Sequence, residues 1–173
     1  MRLIACLLLL AFAGLADSVA GLKWTAPPGW KNEGSRPMRA ATYMIPPSAG
    51  DHDAAECAVY FFGAGQGGSV DANMQRWKGQ FHDAGGKPAN AQVQTTTVHG
   101  LKVTTIDTAG EYSGMGGPMG SAQPVKPGYR LLGAIVEGPG GNVFIKFTGP
   151  AKTIAANQAK FSSLVKSFEK DAK

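Results

Sequence analysis

FFGAGQGGSVDANMQRWKGQF, residues 61–81, is the stretch on which the fold turns. Gly63, Gly65 and Gly68 have the Gly-x-Gly-x-x-Gly spacing of a dinucleotide-binding turn, set between an apolar run and a helix-like one. In such a turn the glycines let the backbone approach a pyrophosphate, which then rests on the N-terminus of the next helix. The helix here is well signalled. Val70, Met74, Trp77 and Phe81 form one apolar stripe. Ser69 suits the N-cap, and Asp71 suits the positive end of the helix dipole. Gly85-Gly86 is the expected stop. Beyond the helix there is no parallel strand closed by an acidic residue. A hairpin pattern takes its place, Gln92–Val98 and Leu101–Thr108 around His99-Gly100. The glycines therefore read as a sharp strand-to-helix turn, and no cofactor is expected there.

The same contrast extends outward. Leu22–Ala26, Arg39–Ile45 and Glu56–Phe62 read as strands, the last apolar on both faces and so central. A second hairpin joins Tyr129–Glu137 to Val143–Thr148 through Gly138–Asn142. Ser113–Gly128 is too rich in Gly and Pro for regular structure. A last helix begins at Pro150 and buries Ile154, Phe161, Leu164, Val165 and Phe168. The class is α+β: two principal helices packed on a mainly antiparallel sheet of about six or seven strands.

Arg2, the apolar run Leu3–Ala13 and Ser18-Val19-Ala20 together read as an export signal cut after Ala20. Residues 1–20 are then the signal and 21–173 a single domain, periplasmic or secreted, with no transmembrane segment. Cys6 leaves with the signal, so Cys57 has no partner and reads as a buried small hydrophobe. The net charge of +5 is spread along the C-terminal lysines, and an exported chain of this kind is not expected to bind nucleic acid.

Few residues carry chemistry. Asn73, Arg76 and Gln80 form a stripe about 90° from the apolar one, where polar side chains reach adjoining loops. They either fix the glycine turn or present a small polar site to an anion or a partner's carboxylate. Glu111, four residues after Asp107, completes the candidate binding set. Met115 and Met119 lack a third ligand, so no metal site is expected. No Gly-x-Ser-x-Gly elbow or His-x-x-x-His pair occurs, and no catalytic residue is assigned.

Trp24-Thr-Ala-Pro-Pro-Gly-Trp30 and Phe161-Ser-Ser-Leu-Val-Lys-Ser-Phe168 resemble the PsbP-like superfamily. Phe62-Gly63…Gly65-Gln66-Gly67-Gly68, Asn73-x-x-Arg76-Trp77-x-x-Gln80-Phe81 and Lys146-Phe-Thr-Gly149-Pro150 resemble, more narrowly, a group of exported bacterial proteins. The resemblance implies an α/β/α sandwich around an antiparallel sheet. It also implies an accessory or binding role rather than catalysis. The residues themselves point to an envelope protein or a small anion as partner. The alternative is a small-ligand or hydrolytic protein with its pocket between the Gly63–Gly68 turn and the Ser113–Gly128 loop.

Overall fold

Two tight hairpins set the ladder. His99 and Gly100 have φ of 47° and 76°, the backbone of a two-residue turn whose twist matches the flanking strands. The second turn is also two residues, Pro139 and Gly140, because Gly138 already pairs with Gly141. It is shorter than the five-residue connection the sequence suggests.

A computed structural model describes residues 16–48, 50–114 and 124–172. It opens with strands β1 (Ala16–Val19), β2 (Leu22–Thr25), β3 (Lys31–Asn32), β4 (Arg39–Ile45) and β5 (Ala55–Tyr60). Helix α1 (Val70–Lys78) comes next, then strands β6 (Phe81–His82), β7 (Ala91–Val98), β8 (Leu101–Tyr112), β9 (Lys126–Gly138) and β10 (Gly141–Pro150). Helices α2 (Ala151–Ala156) and α3 (Gln158–Lys166) and strand β11 (Glu169–Lys170) complete the order.

The main sheet has eight strands in the order β3-β4-β5-β10-β9-β8-β6, with β7 also on β8; a small sheet is ordered β1-β2-β11. Every pairing among the described residues is antiparallel. The α+β class holds, with a larger main sheet than the sequence suggests. The C-terminal helix is divided at Asn157, whose carboxamide oxygen accepts the Trp30 indole N–H at 3.2 Å. Met115 and Met119 lie outside the described residues. Strand β1 starts at Ala16, five residues before the boundary expected at Gly21.

Alternation along the central strands divides the core in two. Cys57, Val59, Ala134, Val136, Val143, Ile145 and Phe147 face α2, α3 and the small sheet, where Trp24 stacks on Phe168 at 5.0 Å. Cys57 is fully buried, and burial pushes its thiol pKa up. On the opposite face Ile106, Leu131, Ile135 and Phe144 meet Met74 and Trp77 of α1.

Helix α1 begins as expected: the Ser69 hydroxyl accepts the Ala72 N–H at 3.2 Å. Its end does not follow expectation. The helix stops at Lys78 with Gly79 as C-cap, not at Gly85-Gly86. Glycine is the poorest ordinary helix former, and leaving the helix there lets Phe81 enter β6 opposite Tyr112. Phe81 is fully buried, its ring 5.0 Å from that of Tyr112. The fourth residue of the apolar stripe therefore packs from a strand.

Gly133 of β9 is what lets α1 sit close. A Cβ there would lie 2.7 Å from Trp77 Cζ3 and 2.8 Å from Ile106 Cγ2. Gly133→Ala is expected to cost about 2 kcal/mol by overpacking. Urea denaturation measures it as a lower midpoint with an unchanged slope.

Candidate functional site

The face that carries α1 is apolar only under the helix. Cross-strand pairing aligns Thr42, Ala58, Lys146, Gly133 and Ile106 in one row, and Glu56, Thr148, Leu131 and Thr108 in the next. In these rows Gly133 and Leu131 on β9 give way to Lys146 and Thr148 on β10 and then to Glu56 on β5. The polar end opens into a cavity of about 360 Å³ lined by Arg39, Glu56, Tyr60, Tyr112, Lys126, Lys146 and Thr148, with Gly114 and Pro124 at its border. That volume lies within the range of small-ligand sites.

Positive charge dominates this lining, three cations to one carboxylate. The Arg39 guanidinium lies 5.1 Å over the Tyr60 ring, and its Nη1 is 2.9 Å from Glu56 Oε1. That contact is an ion pair at hydrogen-bonding distance. Burial opposes the Arg39 charge, and Glu56 more than offsets it. Lys146 Nζ donates to Gln80 Oε1 at 2.9 Å and lies 5.9 Å from the Tyr112 ring centre. Burial first, then the Arg76 and Arg39 charges, push its pKa down to about 8, with Glu56 acting the other way. Among the described residues, Thr148 Oγ1 and Gln80 Nε2 are buried without hydrogen-bond partners. Natural proteins seldom leave such atoms unpaired; water or a ligand usually completes them. Burial raises the pKa of both tyrosines, Tyr60 and Tyr112.

The sequence-derived residues divide between two jobs. Asn73 is buried and donates from Nδ2 to Gly67 O and Ser69 O, both at 2.8 Å. Arg76, on the exposed side of α1, donates to Asn73 Oδ1. This pair ties the glycine turn to the helix. Gly67 and Gly68 have φ of 87° and 82°, and a Cβ on Gly67 would lie 2.7 Å from both Phe144 and Phe62. Left-handed backbone and close approach account for these two glycines. Gln80 belongs instead to the cavity, through Lys146.

Glu111 lies apart: it sits in register with His82, and neither it nor Arg76 lines this cavity. Asp107 is held by Arg130 at 2.7 and 2.9 Å, so the two carboxylates do not act as a pair. Arg39 and Lys146 are the functional candidates that sequence reasoning passed over. The available signal was Lys146 itself, a charge on the same side of a strand as buried Phe144.

These features define a PsbP-like α+β fold with a cationic cavity on its half-covered sheet face. The cyanobacterial PsbP (CyanoP) solution structure from Synechocystis sp. superposes with a TM-score of 0.53 at 12% identity, covering 90% of each chain. A Pseudomonas aeruginosa protein of unknown function gives a TM-score of 0.48 at 9% identity, covering 88% of this chain and 94% of that one. No protein-family model and no curated protein matches the sequence.

Two consequences are measurable. Below about pH 8 Lys146 is protonated both folded and unfolded, so its burial cost is constant. Between about 8 and its ordinary 10.5 the unfolded chain keeps a proton that the folded one has lost, so stability rises with pH. The gain should approach about 2 kcal/mol, less than the full shift implies because the amine borders an open cavity. Urea titrations at pH 7.5 to 9.5 should show this slope in the wild type and not in Lys146→Met. Above about 10 the tyrosines with raised pKa work the other way. Separately, Asn73→Ala should destabilise by about 2 kcal/mol, because it strips hydrogen bonds from the Gly67 and Ser69 carbonyls.

Proposed function

We propose that this chain is an exported, non-enzymatic binding module of the bacterial envelope that holds a small anion in the Arg39–Lys146 cavity. The single observation that carries the reading is the set of cationic and unsatisfied groups there. Among the described residues Thr148 Oγ1 is buried without a hydrogen-bond partner, beside the Arg39 guanidinium, which only Glu56 balances, and a lysine whose charge burial disfavours. An anion between them would accept those hydrogens and restore the lysine's preference for its proton. Tyr60 and Tyr112 line the same space and suit a ligand with a flat or apolar body. A carboxylate or phosphate group fits this chemistry.

The PsbP-like resemblance supports an accessory role, although a shared fold does not transfer chemistry. The narrower likeness to exported proteins with the GQGG and Asn-x-x-Arg-Trp segments supports placement outside the cytoplasm. No helix among the described residues is long and apolar enough to cross a membrane.

Isothermal titration calorimetry with inorganic phosphate and with benzoate tests the proposal. Saturable one-site binding of at least one probe is expected, weakened about tenfold or more by Lys146→Met and by Arg39→Met. Affinity should fall as pH rises through about 8, where Lys146 loses its proton. Absence of saturable heat with both probes at millimolar concentration would reject the reading.

A further inference from the structure

We infer that the export signal is removed at the Ala16–Asp17 bond, so that the processed protein begins with Asp17 and keeps three of the four β1 residues, losing only the Ala16–Thr25 pair. The inference rests on the export reading under Proposed function and goes beyond it, because it replaces the cut after Ala20 that the small-residue pattern alone suggests.

Three observations place residues 17–20 inside the folded domain. First, Asp17, Ser18 and Val19 pair antiparallel with Trp24, Lys23 and Leu22, which places β2 between β1 and β11. Second, Ala20 and Gly21, with φ of 55° and 72°, form the two-residue turn of this hairpin. The Ala20 carbonyl accepts the Gly140 N–H at 3.1 Å, and Val19 and Ala20 pack against the larger core cluster. Third, Asp17 supplies an acceptor to the core. Tyr43 is fully buried, and its hydroxyl donates to Asp17 Oδ2. The Tyr43 hydroxyl oxygen in turn accepts the Trp24 indole N–H at 2.9 Å. Burial and the Asp17 carboxylate raise the tyrosine's pKa.

A product starting at Gly21 would lose the whole strand. It would leave the Tyr43 hydroxyl without its carboxylate acceptor deep in the core, where an unmade hydrogen bond is costly. The turn does not shield the Ala20–Gly21 bond, because the chain is cut before it folds. What distinguishes the two sites is whether the product can complete its small sheet.

The sequence offers a site in the right place. Gly14-Leu15-Ala16 repeats the small-x-small pattern four residues upstream of Ser18-Val19-Ala20. Gly14 comes directly after the apolar run Leu3–Ala13, leaving three residues between that run and the cut. Ala11-Phe12-Ala13 has the same pattern but lies within the run itself. Cleavage is hydrolysis: water adds across the Ala16–Asp17 amide, the signal leaves with the Ala16 carboxylate, and Asp17 keeps a new α-amino group.

The test is intact-mass measurement of the protein recovered from the envelope fraction of bacteria expressing the full chain, alone and with two substitutions. The expected product spans 17–173. Ala16→Leu should abolish it by placing a bulky residue beside the cut. Ala20→Asn should be processed as the wild type is, and its Asn-Gly turn should raise Tm by about 3 °C. A product beginning at Gly14 or Gly21, or continued formation of the Asp17 product in Ala16→Leu, overturns the assignment while leaving export intact. Uncut chain confined to the cytosol overturns both.

Discussion

Helix α1 is too small for the surface it packs on. Nine helical residues are about 14 Å long, whereas seven strand positions span roughly 29 Å. Whatever its direction, such a helix leaves part of that face open. The exposed part begins where each cross-strand row changes from Ile106, Leu131 and Gly133 to Lys146, Thr148 and Glu56. The cavity is thus a product of the mismatch between helix and sheet. The other face is covered by α2, α3 and the small sheet together, with a cavity of about 770 Å³ left between β7, β8 and α3.

The glycine turn and the cavity are linked through the two ends of this helix. At the N-terminal end Asn73 bonds the Gly67 and Ser69 carbonyls. Just beyond the C-terminal end Gln80 accepts from Lys146, and its backbone carbonyl accepts the Ser113 N–H at 2.9 Å. Arg76 lies between them, bonded to Asn73 and lowering the proton affinity of Lys146. The polar stripe Asn73/Arg76/Gln80 therefore connects a structural corner to a chemical one, and Glu111 takes no part in either.

Much of the architecture was legible in the residues because it rests on local rules. Arg39–Ile45 forms β4 with the expected bounds, Ser69 caps α1, and His99-Gly100 forms the expected turn. Ile154, Phe161, Leu164, Val165 and Phe168 are all buried. The failures share one cause, competition between a local pattern and a distant partner. Phe81 continues the helical stripe but is drawn into a strand by Tyr112. Arg39 and Lys146 escaped notice because alternation says which residues share a face and not how far along it a helix reaches.

Gly133 has an effect beyond allowing close packing. By admitting Trp77 onto the sheet, it seats an indole one strand away from Lys146 in the same cross-strand row. The other two tryptophans, Trp24 and Trp30, belong to the core on the opposite face. Trp77 is thus the one indole of the three on the sheet face that carries Lys146, a spectroscopic reporter distinct from the pair in the opposite core.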